Sequence, residues 1–269
     1  MELSIIIVNW NTKKLVLRCI ESILASKIGF GYEIVVVDNG SVDGSVEGLR
    51  KKQRETSKIK IIENRENLGF AKANNQGVRK ARGKNLLLLN SDTEARSGAI
   101  ERMVEFAKNE KSAGVVGARL VNKDGSVQPS CFKLPTLGRV IRQYWLGKRG
   151  LLDKYAPGGG GGGAVEVEAV VGASFLITER ARKKAGLLDE RYFMYYEDLD
   201  YCRRIRQAGL KVFYLAGAEV IHAHGASGRG LGRTTEQWRR LIPSSKIYHG
   251  RITHYLIWFV MWSGIKLFR

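Results

Sequence analysis

An α/β fold around a mostly parallel central sheet is predicted by three observations. Four short runs, Leu3 to Val8, Ile34 to Val37, Ile59 to Ile62 and Leu86 to Leu89, are apolar or nearly so throughout, as strands buried on both faces are. Helical patterns separate them, and alternating strands and helices are joined by right-handed crossovers. Three of the runs stop at clusters of Asn, Asp and Ser, the edge where open α/β sheets place their ligands. A chain of 269 residues with 44% hydrophobic content can bury one large core of this kind.

Between the first two strands, Val16, Ile20, Ile23 and Leu24 share one helical face, with Thr12 as the expected N-cap. The segment Asn64 to Gly77 follows the third strand and enters a helix, and another helix carries Ile100, Met103, Val104 and Ala107. Ala113 to Val121 reads as a strand, Lys123-Asp124-Gly125-Ser126 as its turn, and Val127 onward as the return, which gives a small antiparallel extension. Residues 132–163 have no clean period and include Tyr144, Trp145 and a run of six glycines, Gly158 to Gly163; a mobile loop beside the site is expected there, with a plain linker as the alternative. Val165 to Ile177 reads as one strand. Helices over Thr178 to Ala185 and Glu197 to Ala208 are closed by Gly186 and Gly209. Lys211 to Leu215 and Glu219 to His222 read as two short strands.

The end of the chain differs in character. Ile252 to Ile265 lacks Lys, Arg, Asp and Glu, holds Tyr255, Trp258 and Trp262, and is flanked by Arg251, Lys266 and Arg269. It falls short of the roughly 20 apolar residues that span a bilayer. A C-terminal membrane-associating helix at the headgroup boundary of an anionic membrane is the expectation, with packing on the domain or on a second subunit as the alternative. The formal net charge of +19 attracts polyanions: nucleic acid, anionic lipid headgroups or diphosphates. Cys19, Cys131 and Cys202, odd in number and far apart, read as reduced core residues. The opening Met1-Glu2-Leu3-Ser4 runs straight into a strand without a basic leader, and a cytoplasmic setting is expected.

The strand-end clusters are Asn9-Trp10-Asn11-Thr12, Asp38-Asn39-Gly40-Ser41 and Asn90-Ser91-Asp92-Thr93. The first turn has no G-x-G-x-x-G, which counts against a dinucleotide oxidoreductase. Asp38 could accept hydrogen bonds from a ribose or base edge, or cap its own turn. Gly69 would let backbone amides approach an anion, with Lys72, Asn74 and Asn75 as donors. Asp92 cannot hold a hard divalent ion alone; His222 or His224 would be the second ligand, and imidazole tilts the preference toward Mn²⁺ over Mg²⁺.

Read in order, Val35-Val36-Val37-Asp38-Asn39-Gly40-Ser41, Asn67-Leu68-Gly69-Phe70-Ala71, Asn90-Ser91-Asp92, Gly172-Ala173, Glu197-Asp198-Leu199-Asp200 and His222-Ala223-His224-Gly225 resemble the family 2 glycosyltransferases. The nearest flavour is the bacterial rhamnosyltransferase-like and galactofuranosyltransferase-like branch, and the likeness runs from Ser4 to about Ser227. The resemblance implies a GT-A fold over residues 1–227, with 132–163 on the acceptor side and 228–269 as a basic and apolar C-terminal segment. It implies that Asp92 binds a divalent metal, Mn²⁺ or Mg²⁺, chelated by the donor's diphosphate, with Asn90 standing where a first Asp often sits. His222 matches the family's metal-binding His better than His224, and Asp198 takes the general base. Asn9, Asn11, Asp38, Asn67, Gly69, Lys72, Asn74, Asn90 and Ser91 are the candidate nucleotide-binding residues. Glu197, Asp200, Trp145 and His224 are candidates for orienting the base or the acceptor, Glu197 and Asp200 also for pairing with Arg203 and Arg204.

The implied activity is inverting transfer from a nucleotide-diphosphate sugar, a dTDP- or UDP-sugar such as dTDP-rhamnose, to a hydroxyl of a lipid-linked or cell-envelope glycan. The enzyme would work in the cytoplasm, peripherally at the inner face of the membrane, with no nucleic-acid partner. Two rivals come from other classes. A nucleic-acid-binding module would want aromatic platforms interleaved with its basic residues, whereas the aromatics here gather in Phe193 to Tyr196 and in the C-terminal stretch. A nucleotidyltransferase would want a Gly-rich basic loop after the first strand, and Asn9 to Lys14 contains no Gly. The sugar, donor base, acceptor, linkage and oligomeric state stay open at the level of sequence.

Overall fold

The computed structural model describes residues 1–26, 28–158, 162–223 and 233–268. His224 and the expected boundary after residue 227 lie outside them. The first half builds the parallel sheet: β1 (Leu3–Asn9), α1 (Lys13–Ala25), β2 (Tyr32–Asp38), α2 (Ser45–Glu55), β3 (Ile59–Glu63), α3 (Phe70–Lys80) and β4 (Asn85–Asn90). β5 (Thr93–Ala95), α4 (Ala99–Asn109), β6 (Ala113–Val121), β7 (Cys131–Phe132) and α5 (Leu137–Tyr144) follow. The remainder is β8 (Ala164–Val167), β9 (Ala169–Val170), β10 (Ser174–Ile177), α6 (Glu179–Ala185), α7 (Glu197–Gln207), β11 (Lys211–His222), α8 (Arg233–His249) and α9 (Arg251–Phe268).

The main sheet runs β3-β2-β1-β4-β10-β6-β11-β5, with β8 added on β11, and β7 pairs with β9 separately. β1, β2, β3 and β4 are mutually parallel, with Asn9 level with Asp38 and Val8 level with Asn90. Register alone therefore gathers the strand-end clusters at one edge. β10 enters antiparallel to both β4 and β6. Because side chains alternate along a strand, Ile5, Ile7, Ile34, Val36, Leu87 and Leu89 join the core that includes Val16, Ile20 and Met103. Ile6, Val35, Leu86 and Leu88 join the opposite core, with Tyr201, Cys202 and Ile205. This is a mixed α/β fold with a mostly parallel central sheet and a small antiparallel one, as the resemblance implies.

The structure corrects several elements. Val165 to Ile177 is three strands: β8 pairs with β11, β9 with β7, and β10 with β4 and β6. A continuous apolar stretch marks burial but does not say which partner takes each piece. Lys211 to His222 is one strand, whose register against β6 shifts between Leu215 and Glu219. Residues 132–163 carry α5 and part of β7 as regular structure. Thr12 sits before α1 but makes no cap bond; its hydroxyl donates to Asn9 Oδ1 at 2.7 Å and meets Ser91 Oγ at 2.9 Å, tying two strand ends together.

Among the described residues, no helix is long and apolar enough to cross a membrane. One side of α9 packs on α5 through Val140, Ile257 and Val260, with Trp145 Nε1 donating to Ser263 Oγ at 3.0 Å. Its other side leaves Tyr255, Trp258, Phe259 and Trp262 exposed. All three cysteines are free and buried.

Candidate active site

A cleft of about 780 Å³ opens at the carboxyl ends of the parallel strands. One wall is Val8 and Trp10 after β1, Asn39 after β2, Asn67 and Phe70 at the start of α3, and Asn90, Ser91 and Asp92 after β4. His222 and the α7 start, Glu197 and Asp198, form its floor, and α5, α8 and α9 close the far side with Val140, Leu241, Ile257 and Met261.

The meeting of Asp92 with His222 follows from strand pairing. The apolar run of β4 ends at Asn90, where Thr93 Oγ1 donates to the Asn90 carbonyl at 2.7 Å and the chain turns into β5. β5 pairs antiparallel with β11 so that His222 lies opposite Thr93, and the Ala223 amide donates to the Asp92 carbonyl at 2.9 Å. The two side chains, 3% and 8% exposed as residues, are thus forced together, with His222 Nε2 3.5 Å from Asp92 Oδ1. On the far side of the ring, His222 Nδ1 meets Gln128 Oε1 at 3.0 Å.

The α7 start is strained. Tyr195 and Tyr196 both have φ of 71°, the left-handed region that costs a non-glycine residue about 1–3 kcal/mol. Neighbours from α8 hold the turn: the Tyr196 ring packs on Tyr248 and His249, and Ser244 Oγ donates to the Met194 carbonyl at 2.9 Å. The strained turn delivers Glu197 and Asp198 to the cleft. Asp198 Oδ2 accepts from the Gly172 amide at 3.0 Å and Oδ1 from the Leu199 amide at 2.8 Å. Burial raises the Asp198 carboxyl above its ordinary range, while these two amides and the charge of Lys154 oppose the shift. Glu197 is pushed up to about 8, by burial first and then by the neighbouring Asp198. Its Oε2 is buried with no hydrogen-bond partner among the described residues, as is Asn90 Oδ1.

Asp200 points elsewhere: it pairs with Arg203 at 2.7 Å and Arg204 at 2.8 Å and is not among the residues lining the cleft. Trp145 is half exposed against α9 and does not line the cleft either, although its neighbour Tyr144 does.

The nucleotide candidates divide sharply. Asn67, Asn90 and Ser91 line the cleft. Asn9 lies beneath, donating to Asp38 Oδ1 at 2.8 Å and Ser41 Oγ at 3.1 Å. Asp38 Oδ2 accepts from the Ser41 amide at 2.9 Å, a turn-capping bond, and Asn11 Oδ1 accepts from the Val42 amide at 2.8 Å. The expected anion cradle at Gly69 is not formed. The amides of Leu68, Gly69 and Phe70 donate to Asn39 Oδ1, Asn67 Oδ1 and the Phe193 carbonyl, and at φ of 86° a Cβ on Gly69 would sit 2.5 Å from that carbonyl. Glycine is required there for the close approach of the Phe193 backbone. Asn74 donates back to the Phe70 carbonyl, and Asn75 bonds the Leu188 amide and carbonyl; Lys72 is exposed away from the cleft.

Sequence reasoning missed Trp10, Asn39, Lys133 and Lys154, which line the cleft, and Gln128 behind it. Trp10 and Asn39 stand within the strand-end clusters, beside the candidates Asn9, Asn11 and Asp38. Lys133 and Lys154 sit in a segment without periodicity, where nothing sets their direction.

Among the described residues, no three His, Cys, Asp or Glu side chains form a metal group. A carboxylate and an imidazole side by side nevertheless suit a Mn²⁺ or Mg²⁺ whose remaining ligands come from a diphosphate and water. Asp92 and His222 fit such a two-ligand seat, although not a cage built of protein alone.

A profile of the family described as Glycosyl transferase family 2 matches residues 4–153. The chain is 27% identical over 213 residues to an N-acetylglucosaminyl-diphospho-decaprenol L-rhamnosyltransferase of Mycobacterium tuberculosis, covering 73% of this chain and 68% of that protein. It is 27% identical over 226 residues to a low-salt glycan biosynthesis hexosyltransferase of Haloferax volcanii, covering 82% and 67%. Among solved structures, GalNAc-T7 with UDP, GalNAc and Mn²⁺ superposes with a TM-score of 0.63 at 16% identity, over 82% of this chain and 44% of that one. S. aureus TarS 1–349 superposes with a TM-score of 0.60 at 14% identity, over 100% and 72%.

Proposed function

Because the chain belongs to glycosyl transferase family 2 and is a glycosyltransferase, we propose that it is a metal-dependent inverting enzyme. It moves a sugar from a dTDP- or UDP-sugar, dTDP-rhamnose being one such donor, to a hydroxyl of a lipid-linked or cell-envelope glycan. The observation that carries this reading is one cleft holding both an amide-fixed carboxylate, Asp198, and the Asp92–His222 pair.

Asp198 is the base. Its two amide bonds fix both oxygens, and the α7 N-terminus favours its ionised form. It takes the proton of the acceptor hydroxyl as that oxygen forms a bond to the anomeric carbon and the bond to the diphosphate oxygen breaks. One carboxylate acting in a single displacement inverts the anomeric centre, by the logic that separates inverting from retaining hydrolases. A divalent cation held by Asp92 and His222 would supply positive charge to the departing diphosphate. Asn67, Asn90 and Ser91, with Trp10 and Asn39, take the nucleotide, and Asn9 and Asp38 hold the strand-end turn beneath them.

The acceptor side favours an amphiphile. Lys133 and Lys154 line the cleft together with Val140, Leu152, Ile257 and Met261, which matches an anionic headgroup joined to a lipid. The exposed aromatic face of α9, with Lys266 4.7 Å over the Trp262 ring, suits the interface of an anionic membrane. That face supports the reading that the enzyme works at the inner face of the cell membrane.

A panel of UDP- and dTDP-sugars tests the reading by Mn²⁺-dependent thermal stabilisation, since a ligand of the folded state raises its melting temperature. One donor should stand out, and its sugar should transfer to a polyprenyl-diphosphate saccharide in vesicles. A melting temperature indifferent to every nucleotide sugar would overturn it.

A further inference from the structure

We propose that Gln128 is a positioning residue that fixes the tautomer of His222 and so builds the metal seat. The inference rests on the reading of Asp92 and His222 as metal ligands. Gln128 is reached through the hairpin after β6: the Asn122 amide donates to the Ser126 carbonyl at 2.8 Å, and the Gln128 amide donates to the Leu120 carbonyl at 2.9 Å. This brings the 7% exposed Gln128 side chain against β11.

A main-chain carbonyl can only accept a hydrogen bond. The main-chain carbonyl of His222 accepts from Gln128 Nε2 at 2.8 Å, and Asn122 Oδ1 accepts from the same nitrogen. A flipped Gln128 amide would set oxygen against these oxygens, so its NH₂ is fixed on this side. Gln128 Oε1 therefore faces His222 Nδ1, 3.0 Å away, and an amide oxygen cannot donate. Nδ1 must carry the proton in the neutral imidazole. The lone pair is then on Nε2, the atom that faces Asp92 Oδ1 at 3.5 Å. A lone pair and a carboxylate oxygen turned toward each other attract a cation between them. Partners of this kind commonly orient metal-bound histidines and contribute roughly 10–100-fold in metal affinity.

Two measurements test this. In the native protein without metal, long-range ¹H–¹⁵N spectra should report His222 with its neutral proton on Nδ1; a proton on Nε2 would overturn the proposal whatever the variants do. In Mn²⁺ titrations followed by electron paramagnetic resonance with UDP present, Gln128→Leu should weaken Mn²⁺ binding by roughly 10–100-fold. The same change in a His222→Ala background should cost little further, because Gln128 acts through the ring. Native Mn²⁺ affinity in Gln128→Leu, or equal losses in both backgrounds, would strike Gln128 alone. Native protein that binds no Mn²⁺ would strike the metal seat itself and this inference with it.

Discussion

Two sides of the cleft are built from the same residue types and treated differently. Around β1, β2 and α3, the side chains of Asn9, Asp38, Asn39, Asn67, Asn74 and Asn75 bond to one another or to nearby backbone. Around β4 and α7, Asn90 Oδ1 and Glu197 Oε2 are buried with no partner among the described residues. The turn before Glu197 is strained besides. The first side is a frame that presets shape, and the second presents buried polar atoms that the fold itself does not satisfy among the described residues. Since a buried polar atom without a partner costs about 1–3 kcal/mol, such groups persist where a ligand satisfies them.

If that division holds, substitutions on the two sides should have opposite signatures. The largest effect is expected from Asp198→Asn, which should lower turnover about 10²–10⁴-fold, the range of a general base, while calorimetry with Mn²⁺ and UDP or dTDP finds donor affinity nearly unchanged. Unaltered turnover would remove the base. Asp92→Ala should weaken Mn²⁺-dependent donor binding by roughly 10–100-fold with little change in melting temperature; normal affinity would move the metal elsewhere.

On the frame side, Asn75→Ala strips the Leu188 amide and carbonyl of their partner. Urea unfolding should lose about 2 kcal/mol with turnover per folded molecule preserved. A fall in turnover without loss of stability would erase the distinction. The smallest effect concerns Glu197. Its pKa is raised in the folded state, so its contribution to stability is complete below the ordinary 4.5 and is lost as pH climbs through about 8. Glu197→Gln should therefore melt higher than native protein at roughly pH 9 and alike at roughly pH 4; parallel melting curves at both would show that the carboxyl is not held neutral.

The sheet was legible because burial on both faces writes itself as unbroken apolar runs, and strand-end Asn90, Ser91 and Asp92 could be placed by where a run stops. Metal chemistry offered His222 or His224 as the partner of Asp92 and the resemblance chose between them; their contact itself depends on the short β5 meeting β11, and three residues carry no periodicity. Partner choice hid the splitting of Val165 to Ile177. Saturation hid as well: nothing in Asn9, Asn74 or Asn75 as letters tells whether their amides face a ligand or a carbonyl. Tyr195 and Tyr196 adopt a conformation that sequence associates with Gly or Asn, so their strain could not be read. Gln128 looked like the far arm of a hairpin.

The convergence of protein and leaving group on one ion is tested most directly by pulsed electron paramagnetic resonance of the native enzyme with Mn²⁺ and UDP. A single Mn²⁺ should couple both to an imidazole nitrogen, lost in His222→Ala, and to diphosphate phosphorus. Phosphorus coupling without nitrogen, or nitrogen coupling that survives His222→Ala, would contradict the site described above.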